Sequence, residues 1–422
     1  MQPNPFTFGD PVTGEAFLNR KRELRRLVGR VRQGGSAIIT AEPRMGKTSL
    51  LLHLRASAAD LFDKSDGPLL FHYLDGHTMA GWDAARFWRE AFRPLAARWK
   101  SARAVYEQGA FEATAWEPVF QRLEKRGRRF VLLVDEFDAL QNEPGLHGRA
   151  VYGMLRSLAS RYRSFSLVIA ARRSITDLNY RAREFAGGSP YFNFAQEISL
   201  EPLPDEAVKA LLARAGERFV PADRAFLQRI AGRHPYFLQT AASYLWEMYE
   251  EADDAQARYR ETGEELFAAA GESVLGDIWA AWTPYMQIAF TLAALDSASL
   301  LLEGRAFDIQ ALLRDLPDLS PELRKLARRG FLRPDERLQS GYTPHAEVML
   351  WYLADELTRL LRGEMDLKTW LGEQQWDGLL KIGEKEALKK FLGKAVALLQ
   401  KGASAFIKAA AEGAAKGMVG NP

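Results

Sequence analysis

One stretch decides the fold of the first half of this chain: Thr40-Ala41-Glu42-Pro43-Arg44-Met45-Gly46-Lys47-Thr48, preceded by the apolar run Ser36-Ala37-Ile38-Ile39 and followed by Ser49-Leu50-Leu51-Leu52. A strand that delivers the chain to a turn of outward-facing N–H groups, backed by a helix N-terminus, is a cradle for phosphate. Lys47 is expected to reach the β- and γ-phosphates of ATP or ADP and Thr48 to hold Mg²⁺, while Pro43, Arg44, Met45, Gly46 and Ser49 complete the nucleotide-binding turn. The pattern G-x-x-x-x-G-K-[ST] is broken only at its first glycine, which is Ala41. Alanine disfavours positive φ and sets a methyl where backbone should approach phosphate. Phosphate is still expected to be cradled through Gly46, Lys47 and Thr48; Ala41→Gly would raise affinity or turnover if the methyl strains the loop, and no change would mark the substitution as neutral.

An ATPase needs acids at the end of a second buried strand. Phe130-Val131-Leu132-Leu133-Val134 ends in Asp135-Glu136, so Asp135 is expected to orient Mg²⁺ and Glu136 to polarise the attacking water. The next apolar run, Leu167-Val168-Ile169-Ala170-Ala171, ends in Arg172-Arg173. Arg172 directly follows that strand and is the candidate sensor of the γ-phosphate; a solvated basic pair is the plainer alternative. Arg156, Arg161 and Arg163 are candidates for an arginine acting on a neighbouring subunit, and the sequence selects none of them.

The alternation of short apolar runs with helical stretches up to about residue 200 predicts a parallel sheet flanked by helices. Strands are expected at 36–41, 68–74, 129–135, 165–171 and 193–199, and helices near 22–33, 47–59, 83–99, 114–125 and 148–162. Beyond Pro202 the β pattern stops, and helices are expected at 204–217, 222–231, 234–250 and 255–270. From 285 to 360 the expected order is three helices, two short strands around Gly330-Phe331-Leu332-Arg333 and Gly341-Tyr342-Thr343, and a long helix from 345, the outline of a winged helix. The domains read as 1–200 for the ATPase, 201–275 for an all-α lid, 276–362 for the winged helix and 363–422 for a C-terminal amphipathic segment.

The chain of 422 residues has no cysteine, which excludes disulfides, thiolate metal sites and a cysteine nucleophile and points to a reducing cytoplasm. No secretion signal or run of 18 apolar residues is visible. Its net charge of +3 is too balanced to imply nucleic acid by itself.

Taken together, Asn4-Pro5-Phe6, Phe17-Leu18-Asn19-Arg20, the Glu42–Thr48 loop, Asp135-Glu136 and Gly232-Arg233-His234-Pro235-Tyr236-Phe237 resemble the STAND class of signal-transduction ATPases, near the origin-recognition branch of AAA+ proteins. The resemblance covers roughly residues 4–360. It implies a nucleotide switch, closed as a monomer with ADP and opened by a trigger and ATP into a homo-oligomer. It further implies that Phe17 and Arg20 belong to the segment wrapping adenine, with Asn19 departing from the family's glycine. Pro235 matches the lid proline near the base, and His345 resembles the histidine through which the winged helix touches nucleotide. A helix-capping structural histidine is the alternative for His345.

At 387–422 six lysines face one acid, a local charge of +5. At ~100° per residue Leu388, Leu392, Val396, Leu399, Ala403 and Phe406 share one face, opposite Lys390, Lys394, Lys401 and Lys408. Such a helix suits an anionic membrane surface; self-assembly without membrane and docking on the protein body are the alternatives. The leading expectation is a bacterial defence or cell-death ATPase that moves from cytoplasm to inner membrane on activation and permeabilises it through 384–420. The rival is a DNA-associated ATPase using Arg324, Lys325, Arg328, Arg329 and Arg333, and a third reading is a bare oligomeric scaffold. The trigger is not encoded in any repeat array.

Overall fold

Four apolar runs and a more polar edge segment form one sheet in the computed structural model, which describes residues 3–186, 190–252, 254–299 and 308–361 and a few positions between 369 and 393. The strands are β1 (Ser36–Thr40), β2 (Leu69–Asp75), β3 (Arg129–Asp135), β4 (Phe165–Ala171) and β5 (Ala195–Ser199). Their order is β2-β3-β4-β1-β5, and every neighbouring pair is parallel. Each expected strand is present to within two residues. Every residue of β1 and β4 is buried, as central parallel strands covered on both faces require.

The period of two along β3 divides the core. Val131 and Leu133 join Leu50, Leu51 and Leu54 of the helix Lys47–Ala56 on one face. Phe130, Leu132 and Val134 join Trp88 and Phe92 of Ala84–Arg98 and Trp116 and Phe120 of Ala113–Lys125 on the other. Burial of each such side chain contributes roughly 1.5–3 kcal/mol. The sheet is thereby pinned from both sides, and the C-terminal ends of β1, β4 and β3 lie in a row. Helices Lys100–Glu107, Phe137–Leu140, Ile175–Ala186 and Asp277–Ala281 were not expected from the sequence.

The chain divides into two compact units, residues 10–200 and residues 1–9 with 201–422. In the second, Asp205–Leu212, Pro221–Ala231, Pro235–Glu251 and Ala255–Ala270 are helices. Asp223, 1% exposed, ties three of them together by accepting hydrogen bonds from the Tyr249 hydroxyl at 2.6 Å, the Tyr259 hydroxyl at 2.7 Å and the Val220 N–H at 2.7 Å. The N-terminal segment docks here too. Asn4 Nδ2 donates to Ser243 Oγ at 2.9 Å, and Phe6 stacks on Phe219 with ring centroids 5.5 Å apart.

Helices Pro284–Ser299, Ile309–Asp315 and Leu319–Arg328 follow, then the antiparallel strands β6 (Leu332–Pro334) and β7 (Tyr342–Pro344) and the helix Glu347–Leu361. The hairpin turn is fastened by Arg337, whose guanidinium holds the Asp335 carboxyl down at about 2. Most of the amphipathic stretch read at 387–422 lies outside the described residues, but Leu388 and Leu392 of its apolar face are buried. No helix among the described residues is long and apolar enough to cross a membrane.

Candidate nucleotide site

The loop leaving β1 turns through two left-handed residues, Arg44 at φ 58° and Gly46 at φ 91°. At Gly46 an added Cβ would meet no protein atom within 4 Å, so the loop faces open space there, as a phosphate cradle requires. Ala41 is not among the positive-φ residues. Its N–H donates to the Ala171 carbonyl at 3.4 Å, prolonging the β1–β4 pairing, and its methyl is buried in the core. Strain from a positive φ at position 41 is therefore absent, since Ala41 prolongs the pairing of β1 with β4 instead of turning left-handed. Ala41→Gly should leave nucleotide affinity within about twofold and lower stability by roughly 0.5–1 kcal/mol, the penalty of glycine in extended structure; titration of a fluorescent nucleotide and a denaturant melt check both.

Lys47 opens the helix Lys47–Ala56 and is buried. Its Nζ donates to the carbonyls of Ala41 and Glu42, each at 3.2 Å. Burial lowers its pKa, while the carboxylates of Glu136, Asp135 and Asp138 oppose that shift. Thr48 is half-buried and Arg44 exposed. Met45 and Pro43 are buried, and Met45 belongs to the core. Ser49 is engaged by the chain itself, its hydroxyl accepting the Val12 N–H at 3.1 Å. Arg20 reaches the loop from outside, donating to the Met45 carbonyl at 3.1 Å. Phe17 stacks on His53 of the same helix with centroids 4.0 Å apart. Between them Asn19 sits at φ 42°, which accounts for its replacing a glycine: asparagine tolerates the left-handed region better than most residues.

At the end of β3, Asp135 is 1% exposed. Its Oδ1 accepts the Glu136 N–H at 2.9 Å and its Oδ2 accepts the Tyr73 hydroxyl at 3.0 Å. Glu136 is itself left-handed, at φ 45° and ψ 48°. Its Oε2 lies 3.6 Å from Arg172 Nε and 3.8 Å from His77 Nε2. The Arg172 N–H is anchored on Asp138 Oδ2 at 2.6 Å. Lys47, Asp135, Glu136 and Arg172 are thus gathered at the adjacent C-terminal ends of β1, β3 and β4. The oxygen donors of Thr48 and Asp135 suit a hard cation such as Mg²⁺, and a carboxylate holds about four acceptor positions, so the bonds to Asp135 leave it capacity for a ligand.

Tyr73, Gly76 and His77 were not legible as site residues. They follow from the pairing of β2 with β3, which sets Asp75 beside Asp135. A Cβ at Gly76 would meet the Glu136 carbonyl oxygen at 2.3 Å, so glycine is required for that approach. Pro235 and His345 lie in the other compact unit. Pro235 opens the helix Pro235–Glu251. His345 precedes the helix Glu347–Leu361, its N–H donating to the Phe331 carbonyl at 2.8 Å, and burial lowers its ring pKa. Arg161 is paired with Glu117 at 2.7 Å.

Residues 95–287 match the family described as Novel STAND NTPase 2. The match takes in Asp135, Glu136, Arg172 and Pro235, and with it the resemblance to STAND ATPases read from the motifs stands. The fold is similar to that of a Walker-type ATPase of Pyrococcus abyssi, at 15% identity and a TM-score of 0.53 over 83% of this chain and 99% of that one. It is similar also to the ORC2 protein of Aeropyrum pernix in ADPNP–ADP complexes, at 14% identity and a TM-score of 0.52 over 85% of this chain and 98% of that one. These likenesses show an α/β P-loop NTPase fold. No curated protein matches the chain in sequence.

Proposed function

We propose that the chain is an ATP-hydrolysing switch of the STAND type, in which bound nucleotide sets the state of assembly. The observation that carries this is the convergence of Lys47, Asp135, Glu136 and Arg172 on one rim of the sheet. The backbone amides of the loop and the Lys47 ammonium would hold the β- and γ-phosphates. Thr48 and Asp135 would hold Mg²⁺, which supplies neutralisation of developing phosphate charge when bound. Glu136 takes the proton of the attacking water, and Arg172, now turned to Glu136, is placed to answer to the γ-phosphate. The ADPNP–ADP complexes named for the A. pernix protein support this choice of nucleotide.

The output has two readings. The helices from Pro284 to Arg328, the β6–β7 hairpin and the helix Glu347–Leu361 support a winged helix, and Arg324, Arg328 and Arg333 are exposed on it, which favours contact with duplex DNA. The other reading is the cationic tail acting on anionic membrane. Burial of Leu388 and Leu392 means that this route begins with release of the tail.

Sizing the protein with ADP and with ATP tests the switch. A larger species is expected with ATP, absent in Lys47→Ala, whose loop has lost the cation that faces phosphate. Repeating the runs with duplex DNA and with anionic liposomes, for the full chain and for a truncation after residue 383, separates the outputs. DNA binding should weaken steeply with salt, and liposome binding should vanish with the tail. A size identical in both nucleotides would refute the switch.

A further inference from the structure

We propose that Tyr73 is a positioning residue for Asp135 and, through it, for the divalent cation that accompanies the nucleotide; the inference rests on the ATPase reading above. Tyr73 lies on β2, opposite Leu133 of the parallel strand β3. Residues two apart on a strand share a face, so Tyr73, Leu133 and Asp135 project to the same side of the sheet. That side carries the helix Lys47–Ala56, and Tyr73 and Leu133 pack in its core with Leu50, Leu51 and Leu54. Thr48, the other oxygen donor proposed for the cation, belongs to that helix.

The hydrogen bonds make the arrangement directional. The Tyr73 hydroxyl donates to Asp135 Oδ2 at 3.0 Å, and the Glu136 N–H donates to Oδ1 at 2.9 Å. The terminal torsion of an aspartate is broad and two-fold by itself. A donor on each oxygen, one from β2 and one from the residue that follows β3, fixes the carboxylate plane. Backbone alone secures Oδ1, whereas Oδ2 depends on a side chain that phenylalanine would replace without its donor. Partners that orient a metal's ligands in this way typically change metal affinity by about 10–100-fold when removed.

The prediction is read on binding rather than turnover. A fluorescent ADP analogue is titrated at graded Mg²⁺, and separately in EDTA, for the wild type and Tyr73→Phe. The Mg²⁺ concentration that half-tightens nucleotide binding should rise about tenfold in Tyr73→Phe, with affinity in EDTA unchanged. In an Asp135→Asn background Tyr73→Phe should add no further shift, since it acts through that carboxylate. Tyr73→Leu, judged beside Tyr73→Phe by far-UV circular dichroism, should behave alike if the hydroxyl is what matters. An unchanged Mg²⁺ midpoint in folded Tyr73→Phe overturns the role of Tyr73 while leaving the ATPase reading intact. A parallel loss of affinity in EDTA also overturns it, by showing that the tyrosine only supports the fold. A wild type that binds no nucleotide overturns the ATPase reading and this inference with it.

Discussion

Glu136→Gln should reduce ATP turnover by roughly 10²–10⁴-fold, the usual contribution of a positioned general base, and leave nucleotide bound. Glutamine keeps the length and shape of the side chain but cannot take a proton from water. The backbone argues that this residue is held in place for a reason. Glu136 is left-handed at φ 45°, a conformation that costs a non-glycine residue of order 1–3 kcal/mol. Its N–H is fixed by Asp135 Oδ1, and Gly76 abuts its carbonyl. Its carboxylate is turned to Arg172 and His77. Single-turnover hydrolysis with labelled ATP, set beside binding of a fluorescent analogue, gives both quantities. Turnover within threefold of the wild type would remove Glu136 from the chemistry.

Asp223→Ala should destabilise the helical unit by about 3–5 kcal/mol, the range of losses that follow from breaking a buried network around a charged group. Two tyrosine hydroxyls and a backbone N–H converge on this one carboxylate, and alanine leaves all three donors without it, the Tyr259 hydroxyl in a buried position. Stacking of Phe226 on Tyr259, with centroids 4.2 Å apart, packs the same junction. Tyr249→Phe removes a single bond to the carboxylate and should cost only about 1.5–2 kcal/mol. Urea unfolding followed by far-UV circular dichroism of both variants measures the difference. Equal effects would mean that the helices are held by packing rather than by the carboxylate.

The sheet was legible because four of its strands are short, largely apolar and bounded, and the phosphate loop because its spacing has a mechanical cause. Asp135 and Glu136 followed from their place at a strand end. The helix Ile175–Ala186 was missed although its signal was present: the Ser174 N–H and hydroxyl both donate to Asp177 Oδ2, and Ser174 Oγ accepts the Asp177 N–H at 3.2 Å. That is a reciprocal cap readable as Ser-x-x-Asp. Tyr73 and His77 were not readable, because their neighbours depend on which strand lies beside β3, and strand order is not a local property. Arg172 was readable as the residue that directly follows an apolar strand, whereas its placement between the phosphate loop and Asp135 follows from β4 lying between β1 and β3. Ala41 was misjudged for the opposite reason: a motif position was credited with a backbone conformation it does not have.

Residues 1–9 group with residues 201–422, so the sheet-bearing unit is inserted within the other. During translation this imposes a wait. Asn4 leaves the ribosome long before Ser243, its partner 239 positions later, an interval of roughly 10–50 s at about 5–20 residues per second. For most of it Phe6 lacks Phe219, and through all of it Phe6 lacks Trp246 and Phe8 lacks Tyr244. The inserted unit can close first, since all five of its strands are made by residue 199. Asn4, Phe6 and Phe8 are therefore made long before their partners and are among the last residues of their unit to find their place.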